Sequence, residues 1–124
     1  MSQKFTTPID ATITVGTKAS HAYPITIQLL GQSGTDMKYS AVVDVYLSTD
    51  AAGGTMASAT HSAGLDILTD GTIIKEHTAD VYQTLKSEAD GDIGLTVTLQ
   101  ASYTVYLHVI LPNGRVITSS ALAY

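Results

Sequence analysis

Apolar and polar side chains alternate along most of this chain with a period of two. Ala11, Ile13 and Val15 alternate with Thr12 and Thr14. Tyr23, Ile25, Ile27 and Leu29 alternate with Pro24, Thr26 and Gln28. Ala41, Val43, Val45 and Leu47 alternate with Val42, Asp44, Tyr46 and Ser48, and Ile93, Leu95, Val97 and Leu99 with Gly94, Thr96, Thr98 and Gln100. Successive side chains of a strand point to opposite faces, so each run predicts a strand with one apolar face turned inward and one hydroxyl-rich face turned out.

The run from Tyr103 to Leu111 breaks this rule. Tyr103, Val105, Leu107, Val109 and Leu111 make one apolar face, and Thr104, Tyr106, His108 and Ile110 make a second that is also largely apolar or aromatic. A strand with two such faces is either central or has its second face covered, and this is a first hint of a partner surface. Turn chemistry separates the runs. Gly31–Asp36, Asp50–Gly54, Thr69–Gly71, Ala89–Gly91 and Pro112–Gly114 combine Gly with Asn or Asp, residues that tolerate positive φ. Leu111-Pro-Asn-Gly-Arg-Val116 predicts a hairpin between the last two strands. Residues 53–62 are small and polar and predict an exposed, mobile loop. Lys75–Lys86 fits a short helix or a strand at Val81–Ser87 paired with Ile93–Leu99; the Asp90-Gly91 turn favours the strand. Short strands with turns about every ten residues predict an all-β antiparallel sandwich or barrel.

Composition narrows the function. The 124 residues suffice for one domain. With no cysteine, disulfides, thiolate metal sites and a Cys nucleophile are excluded. The net charge is −5, and the six basic residues are scattered, which speaks against nucleic acid as a partner. No run of about 18 apolar residues is present to span a membrane, and the N-terminus lacks the apolar run of a signal peptide. His21, His61, His77 and His108 share no metal-ligand spacing. Asp66, Asp70, Asp90 and Asp92 flank turns, without the twelve-residue pattern of a calcium loop. Ser, His and Asp all occur, but without a nucleophile elbow, and no Gly-rich stretch continues into a phosphate loop. The reading is therefore non-enzymatic, with no cofactor and no metal. Seven tyrosines against one Phe and no Trp fit either strand propensity or an interface, and Tyr46 and Tyr106 fall opposite the inward set.

Ala41-Val-Val-Asp-Val-Tyr-Leu-Ser-Thr-Asp-Ala-Ala-Gly53, Gly64-Leu-Asp-Ile-Leu-Thr-Asp-Gly71, Ser87–Thr98 and Ser102–Ser120, with its Leu-Pro-Asn-Gly-Arg, resemble a group of small proteins from tailed bacteriophages and prophages. The order of strands and the Asp-Gly turn before a Tyr-rich strand also resemble immunoglobulin-like domains on phage virions. The resemblance covers residues 10–124 and implies a single immunoglobulin-like antiparallel β-sandwich, preceded by a flexible N-terminal arm at residues 1–9. It further implies a virion component made in the host cytoplasm. The expected function is a capsid decoration, or cement, protein that binds the outer surface of the major capsid protein, itself, or both. The alternative is a tail or fibre module that binds a host receptor or glycan. The expected partner-contacting residues are Phe5 and Ile9 in the arm, Tyr46 on the third strand, and Tyr106, His108 and Ile110 on the second face of the last long strand.

Overall fold

A computed structural model of the chain describes residues 8–31, 34–58, 62–100 and 103–124. Among these residues the chain forms ten strands and no α-helix: β1 (Asp10–Val15), β2 (Ala22–Leu30), β3 (Val42–Ser48), β4 (Ser62–Ile67), β5 (Thr72–Thr78), β6 (Tyr82–Lys86), β7 (Asp92–Leu99), β8 (Thr104–Ile110), β9 (Val116–Thr118) and β10 (Leu122–Ala123). Every pairing is antiparallel. One sheet has the order β1-β2-β7-β4; the other has the order β10-β8-β3-β6-β5, with β9 also on β8.

The two sheets face each other because each has an apolar inner side to remove from water. Ile25, Ile27 and Leu29 of β2, with Leu95 and Val97 of β7, share one buried cluster with Val43, Val45 and Leu47 of β3 and Val105, Leu107 and Val109 of β8. Each such side chain contributes roughly 1.5–3 kcal/mol when fully buried. The fold is thus a β-sandwich. Its first sheet and the trio β3-β8-β9 follow the strand order of immunoglobulin-like domains, and the β5–β6 hairpin extends the second sheet beyond β3.

Three expectations are corrected. The segment after Lys75 does form strands, but β6 pairs with β3 and β5, not with β7. The Asp90-Gly91 turn (Gly91 φ 81°) carries the chain from one sheet to the other, because β7 completes the first sheet between β2 and β4. The stretch from Gly53 is not wholly exposed: Ala57 is 3% exposed and its N–H donates to Leu47 O at 2.8 Å, and β4 already begins at Ser62. Its small side chains allow it to fold back on β3 rather than stand in solvent. The two apolar faces of β8 have the explanation the alternation allowed: the strand lies between β3 and β9–β10, and its second face is partly covered from within the chain, as described below.

Phe5 lies outside the described residues. At the other end of the expected arm, Pro8 is buried, and the Ile9 N–H donates to Leu30 O at 3.0 Å. The Ile9 side chain itself is 39% exposed.

The outer edge of β8 is shared by β9 and β10, which are out of register with each other by one residue. Ser119 fills the break. Its hydroxyl accepts the Leu107 N–H at 3.0 Å and donates to Ser120 O at 2.8 Å, while its own N–H bonds Leu107 O at 2.8 Å. The Ser119→Ala substitution leaves the buried Leu107 N–H without an acceptor, and is expected to cost about 1–3 kcal/mol in a urea titration. A loss well under that would show that the strand closes the gap with backbone.

Candidate functional site

The register of β3 sets the outer face of the six-stranded sheet. Tyr46 stands opposite Tyr82 of β6 on one side and opposite His108 of β8 on the other. Directly opposed residues of antiparallel strands project to the same face, so the three rings line up across the sheet. Tyr46 stacks on His108 at 4.8 Å between ring centroids and meets Tyr82 edge-on at 6.4 Å. His77 of β5 continues the row against Tyr82 at 4.5 Å. One step along the sheet, Val116, Ile110, Asp44 and Thr84 form a second row by the same pairing rule. Val42 begins a third, opposite Lys86.

Residues 49–57 fold over part of this face. The Thr49 N–H donates to Thr55 O at 3.0 Å, and Met56 bridges back to Ser48. The Tyr46 hydroxyl donates to Gly53 O at 3.0 Å. Gly53 has φ +77°, and a Cβ there would lie 2.5 Å from the Tyr46 hydroxyl and 3.1 Å from His108 Cε1. The loop backbone therefore rests directly on the Tyr46–His108 stack, and only glycine permits that approach.

Beneath the loop His108 is 1% exposed. Its Nε2 lies 2.6 Å from Ser48 Oγ and its Nδ1 2.9 Å from Thr118 Oγ1. The Ser48 hydroxyl donates its single proton to Asp50 O. Its oxygen must then accept from Nε2–H, so the neutral imidazole carries its proton on Nε2 and accepts from Thr118 at Nδ1. Burial lowers the His108 pKa from its ordinary 6.5, against the opposing pull of the Asp50 backbone hydrogen bond and charge. The Tyr46 phenol is raised by burial and then by the charge of Asp50. The Ser48–His108 pair resembles the start of a catalytic relay, but Ser48 is fully buried and its proton is committed to a carbonyl, so in this arrangement it offers no nucleophile.

A similar chain stands in the open. His77 Nε2 lies 2.7 Å from Thr84 Oγ1, whose hydroxyl donates to Asp44. It ties three strands together and leaves the Tyr82 ring as part of an accessible surface.

The expected contact residues are thus split. Tyr46, Tyr106, His108 and Ile110 do lie on one face, with Tyr106 opposite Ser48 and Ile110 between Asp44 and Val116. His108, however, has both nitrogens and one ring face engaged within the chain. Ile110 and Tyr106 are half-buried. The sequence alone did not single out Tyr82 and His77 for this face, nor Val42 and Val116, which are 44% and 47% exposed. Period two puts Val42 opposite the inward set, and that was the available signal. Tyr82 was hidden by the helix-or-strand ambiguity.

At one end of the sandwich the carboxylates of Asp70, Glu88, Asp90 and Asp92 gather. Glu88 is raised by a side-chain hydrogen bond to Asp70 and then by the charge of Asp70; Asp92 is raised by desolvation and then by the charges of Asp90 and Asp70. A shallow open depression of about 550 Å³ lies there, lined by Thr72, Lys86, Ser87 and Glu88 among others. Among the described residues no group of three or more His, Asp or Glu is arranged to hold a metal ion.

Two outcomes follow from the loop and its imidazole. Gly53→Ala forces a side chain into the left-handed region and against Tyr46, which is expected to cost at least about 1–2 kcal/mol by thermal or urea unfolding. Because the His108 pKa is lower in the folded state, the folded chain binds fewer protons than the unfolded chain just below pH 6.5. The stability this gives is full above 6.5 and is lost as pH falls toward the folded value. The raised carboxylates Glu88 and Asp92 act in the opposite sense at lower pH. Urea titrations at stepped pH are therefore expected to show a decline just below 6.5 that His108→Gln lacks.

No protein-family model matches the chain, and no curated protein does. Among solved structures, a cohesin module from Clostridium perfringens ATCC13124 family 33 glycoside hydrolase is similar over 97% of this chain and 95% of that one, at 15% identity and a TM-score of 0.43. A likeness of that strength carries no statement about what this chain binds.

Proposed function

We propose that this chain is a non-enzymatic structural component of a phage virion, a capsid decoration protein that docks on the outer surface of the major capsid protein. The observation that carries the reading is the uncovered part of the outer face, where exposed Val116 stands beside half-buried Ile110 and exposed Val42 lies one row further along β3. Val116, Ile110 and Val42 lie around Asp44, with Thr84 and Lys86 on its far side, so the surface offers apolar contact area together with polar partners. The resemblance to small phage proteins supplies the partner. Docking of many identical units on a symmetric shell makes a modest contact at each site sufficient. Ile110 and Tyr106 belong to this surface. His108 supports it from beneath the loop. Phe5 and Ile9 are the proposed arm contacts.

Quantitative mass spectrometry of purified virions tests the reading. A copy number comparable to the major capsid protein is the expected result. A few copies per particle would instead favour the tail or fibre module, and absence from particles would overturn the virion reading. On shells that bind the native chain, the Val42→Asp, Val116→Asp double variant is expected to lower occupancy more than about tenfold, since two charges would have to be desolvated on docking. Both side chains are over 40% exposed, so urea titration is expected to show an unchanged fold.

A further inference from the structure

We propose that residues 49–57 form a pH-sensitive latch, in which protonation of His108 releases the loop and uncovers the Tyr46–His108 stack on the outer face. The latch is a property of the isolated chain and stands whether or not the capsid reading does.

The geometry leaves the imidazole one way out. Tyr46 of β3 stacks on it, and Thr118 of β9 holds its Nδ1. The remaining cover is the loop, whose Gly53 sits so near the ring that a Cβ on it would lie 3.1 Å from Cε1 and 3.3 Å from Nδ1. The loop is anchored largely through the same group of residues: Ser48 Oγ to Asp50 O, Tyr46 hydroxyl to Gly53 O, and the Ser48–Met56 bridge. In the neutral state both ring nitrogens and the Ser48 hydroxyl of this network have partners. Adding a proton at Nδ1 turns an acceptor into a donor, so Thr118 must reverse its hydroxyl, and a full charge sits where 1% of the side chain reaches water.

The titratable groups around the ring do not neutralise that charge in place. From β3 come Tyr46 and, one step along, Asp44, whose carboxylate already accepts from Thr84. From β6 comes Tyr82, beyond Tyr46. The loop itself carries Asp50, whose Oδ1 accepts the Thr55 N–H at 3.2 Å. Asp50 favours the imidazolium, yet burial outweighs it, as the lowered pKa indicates. Strands β3 and β8 are held by ladders on both sides and by the shared core, so they do not move to admit water. The loop is the part that can lift.

Amide hydrogen exchange on the isolated chain at pH 7.5 and pH 5, corrected for intrinsic rates, reads this directly. Thr49, Gly53, Thr55 and Ala57 report the loop, since each N–H is bonded within it or back to β3. Their protection is expected to fall at least tenfold at pH 5 while Leu29 and Leu47 keep theirs, and His108→Gln is expected to abolish that difference. Should the variant fail to fold, the ¹⁵N resonances of His108 in the native chain serve instead. The latch predicts an Nε2–H tautomer at neutral pH and a titration midpoint that coincides with loop opening. Loop protection that tracks the core across the pH range, or an opening midpoint that departs from the His108 titration, would overturn it.

Discussion

Strand β3 is the constraint on which the rest of the sandwich rests. It lies between β8 and β6, and its period of two sends Val43, Val45 and Leu47 into the shared core while Asp44, Tyr46 and Ser48 face outward. A slip of one residue would turn Tyr46 and an acid inward and expose three fully apolar positions. The same register fixes which residues of β6 and β8 stand beside Tyr46. The aromatic row, the buried imidazole and the seat of the 49–57 loop all follow from it.

The polar groups inside the fold hold it in a different way from the apolar core. Under the loop His108 is held by Ser48 and Thr118, and Ser48 in turn donates to Asp50 O. Gln83 reaches between the sheets: fully buried on β6, its Nε2 donates to Leu65 O on β4 and to Glu76 at 3.0 Å, while its Oε1 is buried without a hydrogen-bond partner. Such groups add little to stability when satisfied and cost much when broken. They select one arrangement of loops and edges over its neighbours.

The two edges of the six-stranded sheet are guarded by different means. Strand β5 forms the end of the six-stranded sheet, but two irregularities interrupt its pairing with β6, and it carries Lys75 and Glu76. Bulges and charge discourage pairing by another strand. The broken β9–β10 edge is interrupted at Ser119. On the outer face beside Val42, Ile110 and Val116, Asp44 and Lys86 supply charge but the strand pairing runs unbroken.

Local chemistry made the class of fold readable. Alternation placed β1, β2, β3 and β7 because a half-buried strand imposes it on every other residue, β8 stood out as a run apolar on both faces, and Asn113-Gly114 marked the β8–β9 turn because Gly114 sits at φ 88°. Tyr46, Tyr106, His108 and Ile110 were readable as sharing a face for the same reason, given only that β3 and β8 are neighbours. Pairing itself is not local. The Asp90-Gly91 turn looks like a hairpin from its own residues, yet β6 and β7 lie in different sheets because β7 is taken by β2 and β4. Likewise no local signal says that Gly53 will rest on His108, 55 positions away in a chain whose Ser48 and Asp50 close the contact. The sequence by itself determined β1, β2, β3, β7, β8 and β9 with their faces and turns, because these depend on neighbours one to four residues apart. The tertiary structure alone decided which strands meet and which greasy face the chain covers for itself, because those depend on burial shared between distant segments.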